Sequence, residues 1–252
     1  MWNLKNKKAL ITGGTKGIGK ASVLEFLNLG AEVIFTARNE KEVGALESEL
    51  KGKGFAATGL RCDISDKKDL SELNDFLSSS LDSLDILVHN AGINIRKNAL
   101  DYSEEELYKI LEINLISPFK LSRMLFPLLQ KSGRASIVNV ASVAANFDVR
   151  SGVPYAMSKS GLLQQTRSLA VEWAKDGIRV NAVSPWYTKT PLAAPVFKQK
   201  ERIEHILERT PLKRVAEAEE MAAIISFLAM DKSSYITGQN IVADGGISVS
   251  AL

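Results

Sequence analysis

The 252-residue sequence contains a single cysteine, Cys62. It has no second thiol for an internal disulfide and no cysteine cluster for a metal, and the ordinary fate of such a residue is a small buried hydrophobe. Histidine is scarce too, at two residues. His89 ends a strand-like run and reads as a structural residue, while His205 lies in a charged segment and reads as solvent-facing. No metal-ligand cluster is evident, so no metal is expected. No apolar run approaches the ~18 residues needed to span a bilayer. The stretch Ala9 to Ile11 is too short for a signal-peptide core. The expectation is a cytoplasmic protein without a membrane partner. An excess of one charge sign is also missing, since 32 Lys and Arg face 29 Asp and Glu. The basic residues are scattered among acids, so no nucleic-acid footprint forms. Repeats, low-complexity tracts and linkers are absent. What remains, 45% apolar and 24% charged residues, suits a large globular core.

Strand-like and helix-like patterns alternate along the whole chain. Ala9-Leu10-Ile11 is a short apolar run ending in glycines, followed by helical spacing from Ile18 to Leu29 that Gly30 stops. Val33-Ile34-Phe35 is a buried strand by composition. A charged helix spans about Glu40 to Leu50, and Phe55 to Leu60 is a third strand. Asp66 opens the next helix. Ile86-Leu87-Val88 is a fourth strand, and Ser103 with Glu106 is a capping box opening a long helix. Ile137 to Val140, Ile178 to Val183 and Ile241-Val242 are further strands. Helices at Tyr155 to Lys175 and Glu217 to Met230 intervene. Uniformly apolar strands separated by amphipathic helices predict an α/β doubly wound parallel sheet, a three-layer α/β/α Rossmann fold. Such a sheet binds ligands beyond the carboxyl ends of its strands. The expectation is one domain over residues 1–252, with residues 186–212 as a substrate-binding loop or lid. In that insertion Val196-Phe197, Ile203 and Ile206-Leu207 recur at the spacing of a single lid helix.

After the first strand comes Thr12-Gly13-Gly14-Thr15-Lys16-Gly17-Ile18-Gly19. Glycine is needed where backbone turns with positive φ or passes close to a phosphate. The helix that follows offers free N–H groups and the positive end of its dipole. Gly13, Thr15, Lys16, Gly17, Ile18 and Gly19 are therefore candidate dinucleotide contacts. The end of the second strand, where NAD enzymes carry an acid, is Ala37. Arg38 beside it and Lys16 in the glycine loop flank the expected 2′-phosphate position, with no acid evident between them. This predicts NADP(H).

Tyr155 and Lys159 lie four apart at a helix start, hence on one face. An ammonium near a phenol favours the phenolate and lowers its pKa, giving a proton donor for a nascent alkoxide. Ser142, after the fifth strand, places a hydroxyl at the same sheet edge. The set Thr-Gly-x-x-x-Gly-x-Gly at 12–19, Asn90-Ala91-Gly92, Asn114, Ser142 and Tyr155/Lys159 occurs in that order. It resembles the short-chain dehydrogenase/reductase family over essentially the whole chain. Asp63, Asn181-Ala182-Val183 with Pro185, and Asp244-Gly245-Gly246 match it as well. Pro185-Trp186-Tyr187 and Glu172-Trp173-Ala174 are similar to its tropinone reductase-like branch. A departure is His89, where the family often has Asn.

The resemblance implies an oxidoreductase that moves a hydride between its nicotinamide and a ketone or secondary alcohol. By it, Tyr155 is the general acid/base, Lys159 lowers its pKa and holds the nicotinamide ribose, and Ser142 orients the substrate oxygen. Asn114 holds a water linking Lys159 to solvent. Asn90, Ala91 and Gly92 support the adenine-side ribose, and Asp63 with Ile64 frames the adenine. Pro185, Thr188 and Thr190 meet the cofactor on its nicotinamide side. The candidate substrate wall adds Val143, Phe147, Val149, Val153, Trp186, Tyr187, Leu192, Val196 and Phe197 to Ser142 and Tyr155. It is mostly apolar or aromatic. Two alternatives stand: reduction of 3-oxoacyl thioesters on acyl carrier protein, and a non-catalytic NADP-binding regulator. Bulky Trp186 weighs against the first, and the intact Ser142, Tyr155 and Lys159 against the second. Relatives pair through the helices holding Phe119, Met124 and Leu125, and Leu162, Leu163, Leu169 and Trp173. These carry more apolar residues than one sheet-facing stripe needs, so a homodimer or homotetramer is expected.

Overall fold

The computed structural model describes residues 2–250. Their strands are β1 (Lys8–Thr12), β2 (Glu32–Ala37), β3 (Ala57–Arg61), β4 (Ile86–His89), β5 (Ser136–Val140), β6 (Arg179–Pro185) and β7 (Asn240–Ala243). They form one parallel sheet in the order β3-β2-β1-β4-β5-β6-β7. Leu10 of β1 lies between Ile34 of β2 and Leu87 of β4 in the register. The chain winds outward from β1 to β3 and then crosses back to β4 on the other side. The crevice between β1 and β4 is thus the topological switch point, where open α/β sheets bind ligands.

The central strands β1, β4 and β5 are buried and largely apolar on both sides because both faces are covered. Side chains alternate across a strand, so Ala9 and Ile11 of β1 enter one core and Leu10 enters the other. The first core takes Phe26 from α1 (Gly17–Asn28), Leu46 from α2 (Glu40–Gly52) and Ile225 from α9 (Ala218–Ala229). The second takes Leu73 from α3 (Lys67–Ser80), Leu125 from α5 (Ser117–Ser132) and Leu169 from α6 (Val153–Glu172). Local signals set several helix starts. Asp66 accepts from the Lys68 and Asp69 backbone N–H groups at the head of α3. The Ser103–Glu106 capping box closes reciprocally at the head of α4 (Glu104–Leu111).

Four expectations change. The long helix opened by Ser103 is three segments: α4, a π-helical turn over Glu112–Ile116, and α5. The third strand begins at Ala57, because the Phe55 N–H still closes the end of α2 on the Leu50 carbonyl. The lid helix is two short helices, α7 (Ala194–Phe197) and α8 (Lys200–Arg209), broken at Lys198 and Gln199. Leu125, Leu162, Leu163, Leu169 and Trp173, taken as a docking face, are buried within the chain itself. Phe119, Val153, Met157 and Val171 are the large exposed apolar residues of α5 and α6. Among the described residues no helix is long and apolar enough to cross a membrane.

Candidate active site

A cavity of about 900 Å³ opens at the carboxyl ends of the central strands. One end is the glycine loop. Gly13 has φ +68°, a backbone state that side chains disfavour. A Cβ on Gly19 would lie 2.1 Å from the Gly13 carbonyl oxygen, so Gly19 lets the loop close on the first turn of α1. Asn90, after β4, braces this turn: its Nδ2 donates to the carbonyls of Thr12 at 2.9 Å and Gly13 at 3.0 Å. The Thr12 hydroxyl accepts from the backbone N–H of Asn90 and Ala91, both at 3.1 Å, and donates to the Val88 carbonyl. No side chain caps the N-terminus of α1. Its first N–H groups therefore face the cavity with the positive end of the dipole, the arrangement that receives a pyrophosphate.

Ala37 and Arg38 line the same end. Arg38 is exposed and has no ion-pair partner among the described residues. Lys16 does have one: its Nζ lies 2.6 Å from Glu42 Oε1. Glu42 also lines the cavity and accepts from Asn39 Nδ2. The sequence reading, which found no acid here, is corrected on this point. Glu42 is invisible in the strand-end pattern because it belongs to the first turn of α2. Asp63 and Ile64 form the adjoining wall. The Asp63 N–H is held by Asp69 Oδ2 at 2.7 Å, and Arg61 pairs with Asp69 at 2.6 Å.

At the other end Ser142 follows β5, and Tyr155 stands in the first turn of α6. Lys159, one turn on, is buried. Its Nζ donates to the Val140 carbonyl at 2.8 Å and lies 5.7 Å from the Tyr155 ring centroid. Burial lifts the Tyr155 phenol above its ordinary value, while the Ser142 hydroxyl and the charge of Arg96 pull it down. Burial also pushes Lys159 down to about 8. The groups that shift the resting phenol do not include Lys159. Below about 8 the ammonium is present beside a neutral phenol.

Asn114 lies in the π-helical turn, behind the cavity wall. Its Oδ1 accepts from the Ile93 N–H, and its Nδ2 donates to the Ile93 carbonyl, each at 2.9 Å, and to Ser158 Oγ at 3.1 Å. It ties the loop after β4 to α6. A Cβ on Gly92 would meet Asn114 Oδ1 at 3.2 Å and Lys159 Nζ at 3.6 Å, so the glycine lets these elements close up.

The cavity brings together Gly13, Thr15, Lys16, Gly17, Ile18, Arg38, Asp63, Ile64, Asn90, Ala91, Gly92, Ser142, Tyr155, Lys159, Pro185, Thr188 and Thr190. Of the expected substrate wall it includes Val149, Trp186, Tyr187 and Leu192. Five expected wall residues lie elsewhere. Val143 and Val196 are buried in the protein, and Phe147 and Val153 are 48% and 52% exposed on its surface. Phe197 packs against Tyr187, ring to ring at 6.3 Å, and does not line the cavity. Apolar character alone does not say which side of a loop faces the crevice. Ile93, Arg96 and Ser151 take their places. None of the three carries a signal in local sequence. Trp186 is fixed by its indole N–H, which donates to Thr210 Oγ1 at 3.1 Å. His89 is buried against Ser122 Oγ at 2.8 Å, and burial pushes its pKa down to about 3, so it is a neutral structural residue.

Residues 13–248 match a family model described as enoyl-(acyl carrier protein) reductase. A tropinone reductase homolog of Arabidopsis thaliana is 45% identical over 250 residues, which cover 99% of this chain and 95% of the relative. A tropinone reductase homolog of Datura stramonium is 41% identical over 253 residues, covering 99% and 94%. Among solved structures, a putative NAD(P)-dependent gluconate 5-dehydrogenase from Beutenbergia cavernae, with bound NADP at low occupancy, superposes with a TM-score of 0.94. It is 32% identical, with 99% of each chain covered. A gluconate 5-dehydrogenase from Burkholderia cenocepacia, in complex with NADP and tartrate, gives 0.95 at 26% identity, covering 99% of this chain and 98% of that one. With the glycine loop, Ser142, Tyr155 and Lys159 gathered on one cavity, the chain belongs to the short-chain dehydrogenase/reductase family of oxidoreductases.

Proposed function

We propose that the protein is an NADP(H)-dependent dehydrogenase/reductase interconverting a ketone and a secondary alcohol. The observation that carries this reading is the convergence of Ser142, Tyr155 and Lys159 on one end of a cavity whose other end is an uncapped helix behind a glycine loop. The cradle fits a dinucleotide. The α1 N-terminus faces where a pyrophosphate sits, Asp63 and Ile64 lie where an adenine is framed, and Arg38 is free for a 2′-phosphate. Pro185, Thr188 and Thr190 lie on the nicotinamide side. When bound, the nicotinamide supplies or accepts the hydride.

In the reductive direction the Ser142 hydroxyl donates to the carbonyl oxygen and holds it near Tyr155. As hydride reaches the carbonyl carbon, the Tyr155 hydroxyl gives its proton to that oxygen, and the resulting phenolate regains one from solvent. The buried phenol is protonated at neutral pH, which suits a proton donor. The Lys159 ammonium stabilises the phenolate left behind. Asn114 acts by fixing the loop carrying Gly92 against the helix carrying Lys159. Trp186, Tyr187 and Leu192 exclude water on the substrate side, and residues 186–212 act as the lid. The walls set by Trp186 and Tyr187 favour a compact substrate over a carrier-bound thioester. Exposed Phe119, Met157 and Val171 support a homo-oligomer, which light scattering at micromolar concentration checks.

The decisive experiment is NADPH consumption, and the matching NADH assay, over ketones, diketones, quinones and 3-oxoacyl thioesters. Turnover of ketones with NADPH well ahead of NADH is expected. Equal use of both cofactors removes the NADP assignment, and turnover of thioesters alone removes the ketone assignment.

A further inference from the structure

Arg96, in the loop after β4, lines the cavity, and its charge reaches the Tyr155 phenol. Among the described residues nothing forms an ion pair with it, and its Nε is buried without a hydrogen-bond partner. In the same loop both amide atoms of Asn94 are buried and unpartnered. Native proteins seldom leave buried polar atoms unanswered. The acids on the cavity wall do not answer Arg96. Glu42 and Asp63 are at the glycine-loop end, and Glu42 is engaged with Lys16. The wall around Tyr155 otherwise consists of Lys159, bonded to the Val140 carbonyl, Ser142, Ser151 and apolar or aromatic groups such as Ile93, Val149 and Leu192. The substrate end therefore presents a cation without a counter-charge, on a planar fork that matches a carboxylate.

We propose that Arg96 binds a carboxylate on the substrate, so that the protein acts on an oxo acid or hydroxy acid rather than a neutral or amine-bearing ketone. The proposal rests on the reading of the Tyr155 end as the substrate end. A neutral ketone leaves the guanidinium without its partner, and an amine meets repulsion. Both losses add to selectivity. Lys159, the other cation at this end, is committed to the Val140 carbonyl, so Arg96 alone is free for the ligand and suits one negative charge rather than a doubly charged phosphate.

The test uses the full chain loaded with NADPH. Binding of hexanoate, hexanamide, hexylamine and hexyl phosphate is read by the change in NADPH fluorescence. Hexanoate is expected to bind at least about tenfold more tightly than the amide or the amine, the scale of one charge-assisted hydrogen bond. Arg96→Met abolishes that preference and Arg96→Lys keeps part of it. Equal binding of hexanoate and hexanamide by the unaltered protein overturns the proposal whatever the variants do. So does tighter binding of hexyl phosphate, or a preference that survives in Arg96→Met. In kinetics, the ratio of kcat/KM for 4-oxopentanoate to that for 4-oxopentanamide is expected to collapse by about tenfold in Arg96→Met. A ratio that stays put overturns the proposal. An Arg96-dependent preference in binding, with no ketone reduced by any form, supports the anion site and removes only the reductase reading.

Discussion

The two ends of the cavity share one sheet edge but satisfy their polar groups differently. At the glycine loop the chain answers most of its own groups and leaves the α1 N-terminus and Arg38 for the ligand: Asn90 holds the Thr12 and Gly13 carbonyls, Thr12 holds two backbone N–H groups, and Glu42 holds Lys16. At the tyrosine end Arg96 and Asn94 carry unanswered atoms, and burial displaces the pKa of both Tyr155 and Lys159. An end that receives the same dinucleotide at every turnover gains from being built in advance, since preorganised geometry costs nothing at the moment of binding. An end that discriminates among substrates gains from groups that only the right ligand completes.

The sharpest way to break this comparison is at Tyr155. Tyr155→Phe removes the proton donor and leaves the prebuilt end intact. Turnover is expected to fall by at least about 100-fold with NADPH affinity, by fluorescence titration, unchanged. Near-normal turnover would remove Tyr155 from the chemistry. Arg38→Asp acts at the opposite end. It should weaken NADPH by about ten- to a hundredfold through lost attraction and added repulsion, while NADH holds or improves. Parallel titrations decide this, and equal loss of both cofactors refutes a 2′-phosphate contact.

The third effect is in pH. Lys159 is held near 8 by burial, so its charge is present below that value and lost above it. The phenol, raised by burial, stays protonated through the same range. The reductive kcat/KM is therefore expected to be flat below about 8 and to fall above it, to roughly a tenth by one unit past the midpoint. Lys159→Arg should move that limb beyond the accessible range at reduced rate. A wild-type profile level to pH 10 would show that this charge plays no part. The smallest effect is at Glu42. Glu42→Gln releases Lys16 and removes a negative charge beside the expected phosphate. NADPH should bind about threefold more tightly, the scale of one exposed charge contact. Weaker binding would mean that Glu42 positions Lys16 for the phosphate rather than competing with it.

Features that depend on near neighbours in sequence were legible without coordinates. The glycine loop needs a strand before it and a helix after it. Tyr155 and Lys159 need only the four-residue spacing of a helix, and Ser103 and Glu106 need three. Features that join distant segments were not. Lys16 and Glu42 are 26 residues apart, and α2 must lie beside the glycine loop before they meet. Arg96 sits in a mostly polar stretch, Asn94 to Asn98, that reads as an ordinary loop. The substrate wall was half right for the same reason: Leu192 and Val196 are equally apolar, but only Leu192 reaches the cavity.

The π-helical turn at Glu112–Ile116 sets a constraint on length. A regular α-helix advances about 100° per residue, so one residue accommodated in a wider turn shifts the phase of everything beyond it. The Leu121, Leu125 and Leu128 stripe faces the second core in the phase that the wide turn leaves it. Asn114 meets Ile93 and Ser158 from inside that turn. Deleting a residue there would restore regular helical bonding, and would swing α4 out of register with α5. The helix cannot be both regular and correctly aimed at its two ends. Its irregular turn works as a vernier, adjusting the angle between α5, which packs into the second core, and α4, which packs on α6.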